Sequence, residues 1–281
     1  MQEVRFRSGD DLLYGQFWAA PGRRKGALLL VHGFNSNLEE YGKAPAWLAT
    51  AGYDCLAFDQ SGFGKSEGEV GRTDLERARR DIAAATKELR DWSSDIPFGV
   101  VGHSLGGAYA AAAIGPGTPF RAAVLAQPLD RMWDEIHPVG QAIYHLLGKR
   151  AERRAAKGLP PGRVPYKSRS DKLFVSREAQ EEAGRPDFLL RHVNLANYRM
   201  AYTLSGSEWA KQAKVPTLVV VSPHDLVVRP RHSMRVYDAL PEPKALLEHK
   251  GGHSCFRDLD GRFIVDGMVA WFDRHLVHAG A

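Results

Sequence analysis

Hydrophobic positions along the chain follow two different spacings. Short apolar runs at 12–18, 27–31, 53–58, 98–101 and 122–125 predict strands, and the run ALLLV at 27–31 is apolar enough to be buried on both faces. Between residues 71 and 92 the apolar residues recur at intervals of three and four, which predicts an amphipathic helix. Thr73 and Glu76 predict a capping box at the start of that helix. This alternation predicts an α/β fold, with a mostly parallel central sheet and helices on both faces.

The alternation stops near residue 129 and resumes near residue 213. Strands are predicted again at 216–222 and 244–249, with helices near 230–240 and 262–275. Residues 130–212 show no convincing buried strand and contain a Gly/Pro-rich break at 158–165. We therefore predict a core made of residues 1–129 and 213–281, with a helical cap inserted at 130–212.

Composition excludes several classes of protein. Of the 281 residues, 44% are hydrophobic, so a large core can form. Two cysteines, Cys55 and Cys255, are too few for a disulfide scaffold, and neither has the spacing of a zinc ligand. No apolar run is long enough for a signal peptide or a membrane span, and no nucleic-acid-binding module is present. These observations predict a soluble, cytoplasmic protein that needs no metal.

The strongest chemical motif is the stretch Gly102-His103-Ser104-Leu105-Gly106. It has the form G-x-S-x-G, and it lies directly between a predicted strand and an Ala-rich helix. That context is required for a nucleophilic serine, because the serine must sit on a tight strand-to-helix turn with its hydroxyl group above the sheet. The sequence therefore predicts Ser104 as a nucleophile.

A serine nucleophile needs a base, and the base needs an orienting carboxylate. Asp225 follows the predicted strand at 216–222, and His253 lies in a Gly-rich loop after the next strand, so the chain order is Ser, Asp, His. Among 11 histidines, we choose His253 because it alone occupies such a loop after the acid. The competing carboxylates Glu248, Asp258 and Asp260 lie in the wrong element or after the last strand.

An oxyanion hole needs two backbone N–H donors, one after the nucleophile and one after an early strand. Leu105 is predicted to supply the first, and Phe34, in the sequence His-Gly-Phe at 32–34, the second. Phe34 is also predicted to face the substrate, as are His103, Trp133 and Tyr144. The glycine-rich stretch at 59–68 lacks the spacing of a phosphate-binding loop. We interpret it as a structural loop that supports the strand at 27–31, which leads into the predicted oxyanion donor Phe34.

Five motifs together resemble a known family. They are HGF (32–34), DQSGFGKSEG (59–68), GHSLGG (102–107), PHD (223–225) and GGH (251–253). This set resembles the α/β-hydrolase superfamily, and it is similar to the monoacylglycerol lipase, lysophospholipase and serine-aminopeptidase-like branch. The resemblance implies an α/β-hydrolase fold with Ser104 as nucleophile, His253 as base, Asp225 as acid, and Phe34 and Leu105 as oxyanion donors.

These residues predict a serine hydrolase, similar to carboxylesterases and lipases, that cleaves small carboxylic esters with an apolar acyl or aromatic group through an acyl-enzyme, without a metal or an organic cofactor. Four alternatives stay open: the same triad acting on a thioester, on an amide or peptide, or on a carbon–carbon bond, and a non-catalytic relative that binds a ligand. The acyl chain, the alcohol and the oligomeric state are not predicted.

The net charge of +5 is unevenly distributed. Nine basic and two acidic residues between 146 and 172 give that stretch a charge of +7, so the rest of the chain carries −2. A solvated helical face is one interpretation, and a weak contact with an anionic membrane surface is the other.

Overall fold

A computed structural model describes residues 1–165, 172–183 and 192–277. The strands are β1 (Gln2–Ser8), β2 (Asp11–Trp18), β3 (Gly26–Val31), β4 (Tyr53–Phe58), β5 (Phe98–His103), β6 (Phe120–Ala126), β7 (Arg163–Pro165), β8 (His192–Asn194), β9 (Thr217–Val221) and β10 (Lys244–Glu248). The α-helices are α1 (Ala44–Thr50), α2 (Leu75–Trp92), α3 (Leu105–Ala113), α4 (Pro138–Ala155), α5 (Arg177–Ala183), α6 (Asn197–Thr203), α7 (Gly206–Ala210), α8 (Pro230–Ala239) and α9 (Gly261–Phe272).

Eight of the strands in the described part of the chain form one twisted sheet, in the order β1-β2-β4-β3-β5-β6-β9-β10. The β1–β2 and β2–β4 pairs are antiparallel. The pairs from β4 to β10 are parallel. The predicted α/β fold with a mostly parallel sheet is therefore confirmed.

Helices cover both faces of this sheet, which explains why β3, β4, β5 and β9 are buried along their whole length. In β3, Leu29 and Val31 belong to one core cluster, which includes residues of α2, α3 and α8. Leu28 and Leu30 point to the opposite face and belong to the cluster formed with α1 and α9. Because side chains alternate between faces along a strand, one run of five apolar residues contributes to both cores.

Two local details differ from the sequence interpretation. The capping-box prediction for α2 is wrong by one residue: the side chain of Asp74 accepts the backbone N–H of Arg77 at 2.9 Å, and Thr73 instead bonds the hydroxyl group of Tyr109 at 2.8 Å. The structure also adds β1, an edge strand in which Val4, Phe6 and Ser8 are buried and the alternating residues Arg5 and Arg7 are exposed.

The segment between β6 and β9 holds helices α4 to α7 and the small two-stranded sheet β7–β8. Asn194 and Asn197 attach it to the core: they donate to the Glu69 carboxylate and to the Gly71 carbonyl, each at 2.6 Å. Helix α7 packs against α3 and α8. The boundaries 130 and 212 of a cap remain a prediction, and parts of it (166–171 and 184–191) lie outside the described residues, as does 278–281 of the core.

One face of α4 is exposed along its length. Val139, Ile143 and Leu146 are 64%, 52% and 65% exposed, and Arg150 and Arg153 continue the same face toward the C-terminus. These positions recur at intervals of four and three, so they share one side of the helix. The face is therefore apolar in its first half and cationic in its second. Across residues 1–165, 172–183 and 192–277, no helix has the length and apolarity that crossing a membrane requires.

Candidate active site

Ser104 lies on the tight turn between β5 and α3, with φ 57° and ψ −118°. A non-glycine residue with positive φ is costly, so the surrounding packing must hold the turn in place. Glycines on both sides make that packing fit. A Cβ atom at Gly106 would lie 2.1 Å from the carbonyl oxygen of Val31, and one at Gly102 would lie 2.3 Å from the carbonyl oxygen of Gly106. The end of β3 and the start of α3 are therefore in backbone contact beside Ser104.

Asp225 and His253 contact each other directly. His253 Nδ1 donates to Asp225 Oδ2 at 2.7 Å, and both side chains are buried. The other oxygen of Asp225 accepts the backbone N–H groups of Val227 and Val228 at 2.8 and 2.9 Å. Because a carboxylate can only accept a hydrogen bond, Asp225 holds a ring proton on Nδ1, and Nε2 is the nitrogen of His253 that does not contact Asp225.

Hydrogen bonds from neighbouring elements hold the loop that carries His253. Ser222 donates to the carbonyl of Gly251 at 2.6 Å, and Gln127 donates to the carbonyl of Gly252 at 3.0 Å. The N–H of Gly252 donates to Asp258 Oδ2 at 2.6 Å. The loop is thus a fixed platform for His253.

The loop after β3 lies against the turn that carries Ser104. A Cβ atom at Gly33 would lie 3.0 Å from Cβ of Ser104, so the backbone next to Phe34 passes close to the serine. Leu105 is the first residue of α3 and is buried. This proximity fits the predicted oxyanion donors, Phe34 and Leu105, whose role remains a prediction.

The stretch at 59–68 contacts this loop. Gln60 donates its side-chain N–H to the carbonyl of His32 at 2.7 Å and its backbone N–H to His32 Nε2 at 2.9 Å. Asp59 accepts the N–H groups of Leu38 and Lys65, each at 2.8 Å. Burial raises the pKa of Asp59. These contacts agree with a supporting role for the stretch.

A comparison with protein families now identifies the chain. The family described as serine aminopeptidase, S33 matches residues 22–260. The chain belongs to this family of α/β-hydrolases.

Individual relatives of this S33 hydrolase include lipases and a transferase. The polyketide transferase ATR5 of Stachybotrys chlorohalonatus is 25% identical over 295 residues, which span 98% of this chain and 97% of that protein. The monoglyceride lipase of Mus musculus is 32% identical over 122 residues, 42% of this chain and 39% of that protein. The α/β hydrolase GrgF from Penicillium sp. sh18 has a TM-score of 0.83 at 20% identity, with 98% of both chains covered. The resemblance to the α/β-hydrolase superfamily and its lipase-like branch is confirmed.

His103 is buried among other residues of this S33 hydrolase. The sequence predicts that it contacts substrate, but its side chain is only 5% exposed and both ring nitrogens face protein atoms. Nε2 donates to the carbonyl of His253 at 2.8 Å, and Nδ1 lies 3.2 Å from Glu40 Oε1. A contact between this ring and substrate remains a prediction; the polar atoms that its two nitrogens face in the structure belong to the protein.

Trp133 and Tyr144 both pack against helix α6. The ring of Trp133 lies edge-on to Tyr202 at 5.4 Å, and that of Tyr144 lies edge-on to Tyr198 at 4.7 Å. Both rings are half-buried. Their contact with substrate remains a prediction, and their observed partners belong to the segment between β6 and β9.

Three buried polar residues of the site were not assigned to it from the sequence. Gln127 follows β6 with φ 47° and supports the His253 loop. Its position at the carboxyl edge of a parallel strand is a signal that could have found it. Asp258, rejected as the acid, binds Gly252 and also accepts the N–H of Val175 at 2.7 Å. Glu40 has no local sequence signal.

In the described ranges, no cluster of three or more His, Cys, Asp or Glu side chains could hold a metal ion. Burial raises the pKa of Cys255, two residues after His253, so this thiol is held in its neutral form.

Proposed function

We propose that this S33 hydrolase cleaves carboxylic esters through a covalent acyl-enzyme formed on Ser104. The observation that carries the proposal is the buried contact of 2.7 Å between His253 Nδ1 and Asp225 Oδ2, in a chain whose serine turn has the strained geometry of a nucleophile. Such a base has its Nε2 free to accept a proton from a serine hydroxyl group.

In the proposed reaction, Ser104 Oγ attacks the ester carbonyl while His253 Nε2 takes its proton. The N–H groups of Phe34 and Leu105 would stabilise the negative charge on the carbonyl oxygen. His253 then gives its proton to the leaving alcohol, and Ser104 retains the acyl group. Water, activated by His253, attacks the acyl-enzyme and releases the acid. Asp225 orients the ring and stabilises its charged form.

The substrate is proposed to be a small ester with an apolar acyl or aromatic group. Residues 130–212 would form the cap over the site, with Trp133 and Tyr144 lining it beside Phe34. Lipase relatives and the aromatic contacts of Trp133 and Tyr144 with α6 support this substrate class.

The test combines labelling with turnover. A fluorophosphonate probe should label the wild-type chain and should not label Ser104→Ala. Hydrolysis of p-nitrophenyl esters of graded acyl length should fall at least about 10³-fold in Ser104→Ala. The matched control is Ser94→Ala, because Ser94 is exposed and lies in the turn after α2, and it should keep wild-type rates. Full ester hydrolysis by Ser104→Ala would refute the proposal.

A second candidate is transfer of the acyl group to an alcohol in place of water. It is favoured by the polyketide transferase, whose match spans nearly the whole of both chains. Both functions pass through the acyl-enzyme. They differ in the molecule that then takes the acyl group, which is water for a hydrolase and an alcohol for a transferase. An acyl thioester donor supplied with a panel of alcohols distinguishes them: a transferase yields new esters in excess of free acid, and a hydrolase yields the acid.

A further inference from the structure

A buried acid–base pair lies beneath the candidate active site. Glu40, in the loop after β3, and His103, at the end of β5, are 8% and 4% exposed. Glu40 Oε1 lies 3.2 Å from His103 Nδ1. The rings of Tyr41 and Phe256 pack against each other, and Phe256 also covers His103. Neither member of the pair has a place in the proposed reaction.

The pair connects three loops that the proposed reaction depends on. Glu40 Oε1 accepts the N–H of Gly33 at 2.8 Å, next to the proposed oxyanion donor Phe34. His103 Nε2 donates to the carbonyl of His253 at 2.8 Å. His103 also directly precedes Ser104 in the chain. The loop after β3 that carries Gly33 and Phe34 (the oxyanion loop), the nucleophile Ser104 and the base His253 are therefore joined through the side chains of Glu40 and His103.

The surroundings of the ring favour its charged form, and the 3.2 Å approach of Nδ1 to Glu40 is an ion-pair contact without hydrogen-bond geometry. Nε2 of His103 faces a carbonyl oxygen and Nδ1 faces a carboxylate, and each of these oxygens can only accept a hydrogen bond. A neutral imidazole has one N–H, so it would leave a lone pair directed at one of the two oxygens. An imidazolium carries an N–H on each nitrogen: Nε2 donates to the carbonyl, and the charged Nδ1–H side of the ring lies in ion-pair contact with Glu40 Oε1.

Electrostatics agree with this preference. Burial alone disfavours both charges, but attraction between the two groups outweighs it, with a further contribution to His103 from Cys255, so the pKa of His103 is raised well above its ordinary value and the pKa of Glu40 is lowered. The other titratable groups near the pair are Cys255, Tyr41, His249, His32, His253 and Asp225. Burial raises the pKa of Cys255 and Tyr41 and lowers that of His249, so these three stay neutral beside it.

We infer that Glu40 and His103 form a buried ion pair that positions the oxyanion loop and the catalytic base relative to Ser104. Both are positioning residues, since they act through Gly33 and the His253 backbone and touch no substrate. The inference rests on the proposed chemistry at Ser104. Removing the charge of Glu40 leaves His103 neutral, and a neutral ring has only one N–H. Either the carbonyl of His253 or the side chain at position 40 then no longer faces an N–H of this ring.

The first test measures protonation in the wild-type chain and needs no activity. In protein labelled with ¹⁵N-histidine, His103 should show two protonated ring nitrogens at pH 8, where an ordinary histidine is neutral. The signal is assigned by its loss in His103→Gln. In Glu40→Gln one of the two N–H signals should disappear, while Glu39→Gln, a neighbouring exposed carboxylate, should leave both. A neutral His103 at pH 8 in the wild type would overturn the inference.

The second test separates positioning from binding. Glu40→Gln should lower kcat for a p-nitrophenyl ester by about 10- to 100-fold, because a small misplacement of reacting groups has that effect. KM should change less than about twofold, as in Glu39→Gln. Glu40→Asp keeps the charge, so it should retain the imidazolium signals and a higher kcat than Glu40→Gln. If Glu40→Gln fails to fold, the wild-type spectrum and Glu40→Asp still decide.

The outcomes also distinguish this inference from the proposed function. Wild-type kcat in folded Glu40→Gln, or equal kcat in Glu40→Gln and Glu40→Asp, would overturn the positioning role and leave the role of Ser104 intact. Full activity in Ser104→Ala would refute the proposed function and leave the spectroscopic result unaffected.

Discussion

Gly106→Ala is predicted to damage activity through a backbone collision beside the nucleophile. A Cβ atom at this position would lie 2.1 Å from the carbonyl oxygen of Val31 and 2.4 Å from that of His32. Ordinary contacts of this kind are about 1 Å longer, and both obstacles are backbone atoms that cannot rotate away. The end of β3 and the start of α3 must therefore separate by about 1 Å.

The separation has a kinetic consequence because the two elements carry the two proposed oxyanion donors. Phe34 follows β3, and Leu105 begins α3. A misplacement of about 1 Å can cost about 100-fold in rate, and loss of one oxyanion donor costs about 10²- to 10³-fold. We expect kcat/KM to fall by about 100-fold or more, whereas overpacking of the core should cost about 1–3 kcal/mol of stability.

The assay is kcat/KM with a p-nitrophenyl ester at a temperature where both variants are folded. Gly115→Ala, just beyond the end of the same helix, is the matched control, because a Cβ atom there has no neighbour closer than 3.8 Å. Circular dichroism and thermal unfolding establish that Gly106→Ala is folded, with a lower Tm. If folded Gly106→Ala keeps kcat/KM within twofold of Gly115→Ala, the reasoning from this contact is wrong.

Three further changes are predicted. Asp225→Asn should lower kcat by about 10³- to 10⁴-fold with little change in KM, since the His253 ring loses its orientation, and a loss below tenfold would contradict this. Burial lowers the pKa of His249 to about 4, so this histidine takes up a proton at a lower pH in the folded chain than in the unfolded chain. The free energy of unfolding therefore decreases as pH falls from about 6.5 toward 4. Measured by urea unfolding, the free energy of unfolding should fall less between pH 7 and pH 4.5 in His249→Gln than in the wild type, by at most about 3 kcal/mol. The exposed face of α4 should give weak, salt-sensitive sedimentation with vesicles rich in anionic lipid, reduced by Leu146→Glu and Arg150→Glu; binding that ignores lipid charge and salt would contradict it.

The parts of the molecule that could be predicted are those encoded in a few consecutive residues. The fully apolar strand at 27–31 and the glycines around Ser104 can be predicted from their local sequence. Burial on both faces of a strand and a tight turn each restrict which residue types fit at those positions. Asp225 and His253 are further apart, but each follows a strand end, and the carboxyl ends of parallel strands share one edge of the sheet.

Local signals fail where neighbouring side chains compete for the same role. Thr73 and Asp74 are both good N-cap residues, and the choice of Asp74 depends on Tyr109 and Asn197, which occupy the hydroxyl group and the backbone N–H of Thr73. Strand β1 was not predicted because this edge strand buries only alternate residues and so resembles a polar segment.

Glu40 and His103 mark the limit of local reasoning about the site. His103 stands beside the nucleophile, so proximity in sequence suggests that it meets substrate, yet its contacts are 63 residues back at Glu40 and 150 residues ahead at His253. A buried carboxylate has a large desolvation cost, and only a cation and hydrogen-bond donors brought together by the fold can offset it. Glu40 would be unfavourable in its loop unless β3 and β5 were already adjacent, so its presence there depends on the tertiary structure. The residues that hold this site together are therefore recognised only from contacts between strands in the folded structure. The residues proposed to react are recognised from the sequence of the turns in which strands end.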